Sequence, residues 1–309
     1  MRYPIPMHRS LCFLLLLLAP LLAQAKGDTL VGVEYRDVDR SYLLHLPDPL
    51  PNTAMPVVVV LHGGGGNSES IAQQTRFDAM ADKNGFIVVY PNGTDQVRPL
   101  MNMLGKPGLL TWNAGGCCGY ARDQNVDDVG FIRAVVMEVV KDNGADPKRI
   151  YATGISNGGM MAYRLACEAS DLFAAVAPVA AVQEAKDCKP AHPVSVFHIH
   201  GGNDENVPLA GGVGKKALEK ESRPPVQDSL DFWVKQDGCT VTVRSQEPGV
   251  DMVNYGACEE GTDVQFFLVR DGGHSWPGGA RVAEFLDAPS PALNATEAIW
   301  DFFSKHAKP

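Results

Sequence analysis

The chain of 309 residues is short of several things, and each shortage excludes something. Its longest apolar run, LCFLLLLLAPLL over residues 11–22, has 12 residues. A bilayer-spanning helix needs about 20, so a retained membrane anchor is not expected. No five like charges stand in a row, and basic residues are outnumbered, 27 to 36. Phosphate binding needs a basic face, so a nucleic-acid partner is not expected. No CxxC pair occurs, which argues against a cysteine-built metal site. The glycine run 63–66 is not followed by Gly-Lys-Ser/Thr, so it is not a phosphate loop. There is no internal repeat, low-complexity tract or Ser/Thr/Pro-rich linker.

What is present starts with a leader. Arg2 and Arg9 precede the apolar run, and Ala23-Gln24-Ala25 has the small-x-small form of a cleavage site. Residues 1–25 therefore read as a signal peptide, with residues 26–309 as one domain in the secreted or periplasmic space. Setting Arg2 and Arg9 aside leaves 25 basic against 36 acidic residues, a net charge of −11. Six cysteines remain: Cys117, Cys118, Cys167, Cys188, Cys239 and Cys258. An even count behind a signal peptide reads as disulfides. Cys239 and Cys258 flank a hairpin pattern and are expected to pair; the pairing of the other four stays open.

Strand and helix patterns alternate along the chain. Residues 29–35 and 40–46 read as a hairpin, and 57–61 (VVVVL) as a strand buried on both faces. A helix is expected over 69–83, stopped by Asn84-Gly85, then a strand at 86–90. A glycine-rich loop follows, from 91 to about 124, and loops of that length in compact domains tend to be functional. Helical spacing returns over 125–141, with Asn125 as cap, then strand 149–153 and a helix to about 169. Strands at 173–180 and 194–200, a helix at 225–236, a hairpin, the strand 264–269 and a helix at 295–305 complete the chain. Asn294 and Glu297 form a capping-box pattern for the last helix. Such alternation predicts an α/β fold, a mostly parallel sheet with helices on both faces.

Between strand 149–153 and the next helix lies Gly154-Ile155-Ser156-Asn157-Gly158, a G-x-S-x-G pattern in the strand–turn–helix setting that exposes a nucleophilic serine. The bland alternative is a glycine-rich turn capped by serine. A serine hydroxyl needs a base, and the base an acid, in that fold's chain order. Asp204 follows the strand ending in HIH, and His274 follows VQFFLV, each in a loop past a strand's C-terminal end. A lone Asp or His in a loop is usually solvated surface, but three residues in order at the right ends point to acyl transfer. Asp271 lies too near His274 to serve as its acid, Asp127 and Asp128 look like helix-start residues, and His198 and His200 lie inside a strand as core or supporting groups. An oxyanion would need two N–H donors, here expected from Asn157 and from Gly64 in His62-Gly63-Gly64-Gly65-Gly66. Trp276, two residues from His274, is expected to line the acyl site, with Trp112 and Tyr120 on the long loop. The triad needs no metal and no cofactor.

These segments resemble the secreted α/β-hydrolase esterases grouped as the polyhydroxybutyrate depolymerase and feruloyl esterase family of carbohydrate esterases. The likeness rests on LHGGGGN (61–67), FDAMADKNGFIVVYPNG (77–93), TWNAGGCCGYA (111–121), VDDVGFIRAV (126–135), GISNGGMMAYRLAC (154–167), HIHGGNDENVP (198–208), GGHSWPGG (272–279) and IWDFF (299–303). It implies Ser156, Asp204 and His274 as the triad and favours Gly64 as the second oxyanion donor. The acid motif departs from the usual HGTxD, reading HGGND, with Asp204 kept. Substrates implied are esters: feruloyl esters of plant cell-wall polysaccharide first, with acetylated xylan and polyhydroxybutyrate as alternatives. Without an added polymer-binding domain in this sequence, soluble or oligomeric esters are expected over crystalline polymer. A peptidase of prolyl-oligopeptidase type shares the triad order but normally adds a propeller, of which there is no repeat pattern here.

Overall fold

The computed structural model describes residues 27–95, 109–282, 284 and 286–309. The expected signal peptide and part of the long loop lie outside these residues. Ten strands form one sheet in the order β1-β2-β4-β3-β5-β6-β7-β12-β11-β10. Its centre is the parallel set β4 (Ile87–Pro91), β3 (Val57–Leu61), β5 (Ile150–Ile155), β6 (Ala175–Val179), β7 (Ser195–Gly201) and β12 (Val264–Val269). The flanks are antiparallel: β1 (Gly27–Tyr35) and β2 (Val38–Leu46) on one side, β11 (Val250–Gly256) and β10 (Val241–Glu247) on the other.

Continuous apolar strands bury both faces, and every residue of β3 through β7 is buried. On one face Val57, Val59 and Leu61 pack with α4 (Asp128–Asn143), α5 (Asn157–Glu168) and α6 (Val226–Gln236). On the other, Val58 and Val60 pack with α1 (Ser68–Thr75), α2 (Phe77–Asn84) and α7 (Ala295–Phe303). The long loop carries one short helix, α3 (Gly119–Asp123), and the segment after β7 a small ribbon of β8 (Gly212–Val213) and β9 (Ser222–Arg223).

Two local expectations need correction. The helix over 69–83 is two helices, because Arg76 takes a left-handed conformation (φ 57°) and its N–H closes onto the Ala72 carbonyl. The turn drives Phe77 into the core against Phe86 and Trp276. The cap of α4 is Asp127, whose carboxylate accepts from the Gly130 N–H, and not Asn125. Asn294 does cap α7, accepting from the Glu297 N–H. Disulfides join Cys239 to Cys258 as expected, Cys167 to Cys188, and the neighbours Cys117 and Cys118. No helix among the described residues is long and apolar enough to cross a membrane.

Candidate active site

Ser156 stands where β5 ends and α5 begins, half-buried, with φ 57° and ψ −124°. A non-glycine residue there is strained, and the surroundings must hold it. Its N–H donates to the Val179 carbonyl at 2.9 Å and its carbonyl accepts from the Met160 N–H at 2.9 Å. The glycines explain how the chain turns so tightly. A Cβ on Gly158 would lie 2.3 Å from the Leu61 carbonyl oxygen, and one on Gly154 2.6 Å from the same atom. Both are needed so that α5 can start against the end of β3.

Asp204 and His274 meet at 2.8 Å, Nδ1 to carboxylate, from loops after β7 and β12. The second carboxylate oxygen accepts from the N–H groups of Asn206 and Val207 at 2.9 and 2.8 Å. Burial alone would raise the Asp204 carboxyl; the His274 imidazole, helped by His200 and the Val207 N–H, overrides it and holds the group below its usual range. The acid is therefore ionised, and it fixes the His274 tautomer with the proton on Nδ1 and Nε2 free to accept. The His274 N–H donates to Asp287 at 2.9 Å, and Asp287 pairs with Lys216. The other acids are engaged elsewhere. Asp271 accepts from Ser290 Oγ, and Asp128 is in a buried pair with Arg40 and also accepts from the Asn113 N–H.

The glycine loop is braced by His62. Its Nδ1–H donates to the Gly63 carbonyl at 2.8 Å, and its Nε2 accepts from the Gly93 N–H at 3.0 Å. Burial lowers the imidazole to about 4, so it is neutral. Gly65 donates to the Leu110 carbonyl and Gly66 to the Gly63 carbonyl, whereas the Gly64 N–H has no acceptor among the described residues. The loop lies over the serine turn, since a Cβ on Gly63 would be 3.5 Å from Ser156 Cβ and one on Gly64 3.9 Å from Asn157 Cβ. Asn157 opens α5, where helix N–H groups lack intrahelical acceptors. Gly64 and Asn157 thus lie side by side at this turn, with no backbone acceptor for either N–H among the described residues.

The binding wall is where the structure departs most from expectation. Trp276 has 0% exposure, donates from Nε1 to Thr296 Oγ1 at 3.0 Å and stands edge-on to Phe77. Trp112 is also 0% exposed, sits 4.9 Å from the His62 ring and donates from Nε1 to the His62 carbonyl. Neither shows a ring face to solvent, so both support the site from inside the fold. Tyr120, on α3, is half-buried and keeps part of its surface open. The side chain of Asn157 was missed by sequence reasoning. Its amide accepts from the Trp112 N–H at 2.7 Å and donates to the Trp112 carbonyl at 3.0 Å, tying the long loop to the serine turn. Only the fold reveals it, because residues 112 and 157 are 45 apart in sequence.

Two clusters hold metal-ligand types among the described residues: Cys117, Cys118 and Glu219, and Asp28, His45 and Asp78. The cysteines are joined to each other, and His45 is already paired with Asp28 and Asp82.

The parallel sheet with antiparallel flanks, and a strained serine at the end of its middle strand, define an α/β-hydrolase. An acetyl xylan esterase from Aspergillus awamori has the same fold, with a TM-score of 0.58 at 15% identity over 80% of this chain and 94% of that one. The chain belongs to the family described as Esterase PHB depolymerase, whose model matches residues 40–194. It is 32% identical to a "Probable feruloyl esterase C" of Aspergillus clavatus over 85% of this chain and 83% of that protein. With the feruloyl esterase B of Piromyces equi it shares 28% identity over 72% of its own length, and it spans 40% of that larger enzyme. Family and fold make it a carboxylic-ester hydrolase.

Proposed function

We propose that the protein is a secreted serine esterase acting on esters of plant cell-wall polysaccharide, feruloyl esters first. The observation that carries the mechanism is the 2.8 Å contact of ionised Asp204 with His274, in a fold whose strained turn presents Ser156. In the first half-reaction Ser156 Oγ attacks the ester carbonyl carbon while His274 Nε2 takes the hydroxyl proton. Negative charge on the carbonyl oxygen is met by the N–H groups of Gly64 and Asn157. Collapse breaks the carbon–oxygen bond, the alcohol leaves with the proton from His274, and an acyl-serine remains. Water repeats the sequence with His274 again as base and frees the acid.

The acyl preference is supported by the curated relatives named as feruloyl esterases. The family description supports hydroxybutyrate esters as the second reading. Three disulfides support an oxidising, extracytoplasmic compartment. The test is turnover of methyl ferulate, acetylated xylan, hydroxybutyrate oligomers and a proline peptide by purified protein. Methyl ferulate should give the highest kcat/KM. Peptide turnover without ester turnover would replace the esterase reading with a peptidase.

A further inference from the structure

Behind the catalytic acid lies a buried chain of polar side chains that the acyl-transfer steps do not use. Tyr163 Oη is 2.7 Å from His198 Nδ1, His198 Nε2 is 3.1 Å from His200 Nδ1, and His200 Nε2 is 2.9 Å from the Val207 carbonyl. All three side chains are fully or almost fully enclosed. The direction of the chain follows from its end. A carbonyl only accepts, so His200 carries its proton on Nε2. Burial lowers both histidines and keeps them neutral. His200 Nδ1 must then accept from His198 Nε2–H, and His198 Nδ1 must accept from the Tyr163 hydroxyl. Every link donates the same way, and such chains strengthen one another.

The chain ends at the acid. Val207 accepts from His200 through its carbonyl and donates from its N–H to Asp204 at 2.8 Å. His200 Nε2 itself lies 3.6 Å from the other Asp204 oxygen, the one that meets His274. It begins on α5, the helix that starts directly after Ser156. We propose that Tyr163, His198 and His200 are positioning residues that link the serine helix to the acid turn and hold Asp204 as a fixed anion beside His274. The proposal rests on Ser156, Asp204 and His274 being the triad.

The charged and titratable groups around the chain are few. Asp204 is faced by His200 from β7 and by His274 from the loop after β12. His198 is faced by Tyr163 from α5, by His200 on its own strand and by the apolar ring of Phe266 from β12. Asp287, paired with Lys216, holds the His274 backbone from outside. The protonated, positive edge of His200 thus lies 3.6 Å from the Asp204 oxygen that meets His274. Removing it leaves the Asp204 anion less stabilised, so activity should be lost earlier on acidification.

The test compares wild type with His200→Leu, His200→Gln and Tyr163→Phe, using p-nitrophenyl acetate from pH 4 to 9 and counting active serines by titration with an acylating inhibitor. Per active serine, His200→Leu should lower kcat about tenfold with little change in KM and move the acidic limb of kcat/KM upward by about 0.5 pH unit. His200→Gln, which can still donate to the Val207 carbonyl, should restore most of both. Tyr163→Phe removes one buried oxygen and should move the limb the same way by less; it decides the matter if His200→Leu does not fold. An acidic limb and kcat per active serine unmoved in Tyr163→Phe and in folded His200→Leu would overturn the proposal while leaving the triad intact. Full turnover by Ser156→Ala would overturn the triad itself, and with it this inference.

Discussion

At the scale of single residues, the site is a set of side chains held by backbone as much as by one another. Ser156→Ala should lower kcat for p-nitrophenyl acetate by a factor on the order of 10⁴ or more with an unchanged unfolding midpoint, because the half-buried hydroxyl has no hydrogen-bond partner among the described residues. Asn157 is the opposite case. Asn157→Ala keeps the backbone N–H but strands the Trp112 N–H, which has no other acceptor among the described residues, and removes one donor from its carbonyl. A buried unpaired amide costs about 2 kcal/mol. The urea midpoint of this variant should fall by that equivalent, and kcat should fall as the long loop loosens. Unchanged stability would show that the loop is held elsewhere. His62 fits the same pattern, being neutral, buried and bonded on both nitrogens to loop backbone.

At the scale of elements, the close approach of α5 to β3 is the feature on which the site depends. Gly158→Ala would place a methyl group 2.3 Å from the Leu61 carbonyl oxygen. Backbone on both sides cannot yield, so the variant should be lost from the soluble fraction or unfold at much lower urea. Arg76 is a place where the fold tolerates strain that function does not need. Its side chain is exposed and its φ is 57°. Arg76→Gly should raise stability by about 1 kcal/mol, read as a higher urea midpoint with unaltered kcat. Periodicity alone shows one helix here, since residues on both sides of Arg76 keep apolar spacing. The break is legible only once Phe77 is seen to need a place in the core.

At the scale of the whole molecule, two buried groups make stability respond to pH in opposite senses. Burial holds His62 at about 4, below its ordinary 6.5. The unfolded chain then binds the extra proton, so stability falls as pH drops from 6.5 towards 4. Burial raises Asp237 to about 7, with its second oxygen lacking a partner among the described residues. The folded chain binds that proton, so stability present below pH 4 is lost as pH rises towards 7. Asp237→Asn should therefore raise the melting temperature at pH 8 and change it little at pH 4. An equal effect at both pH values would show that the carboxyl is not titrating in the fold.

What the sequence determined by itself is local chemistry and its order. The apolar runs named a parallel sheet, the G-x-S-x-G turn marked Ser156 as a candidate, and loop position past two later strands marked Asp204 and His274. Gly64 was the choice within the glycine loop, family resemblance favoured it over its neighbours, and the structure adds that its N–H lacks an acceptor among the described residues. Those signals are local because strand burial, turn sterics and chain order each act over a few residues. Tertiary structure alone decided the rest. Trp276 and Trp112 have the composition of a binding wall, but packing against Phe77 and His62 turns them inward. Asn157 and Trp112, or Tyr163 and His198, lie 45 and 35 residues apart, and no spacing rule brings such pairs together. Contacts of that range follow from how helices seat on the sheet, so only the folded chain shows what holds the acid and the serine in place.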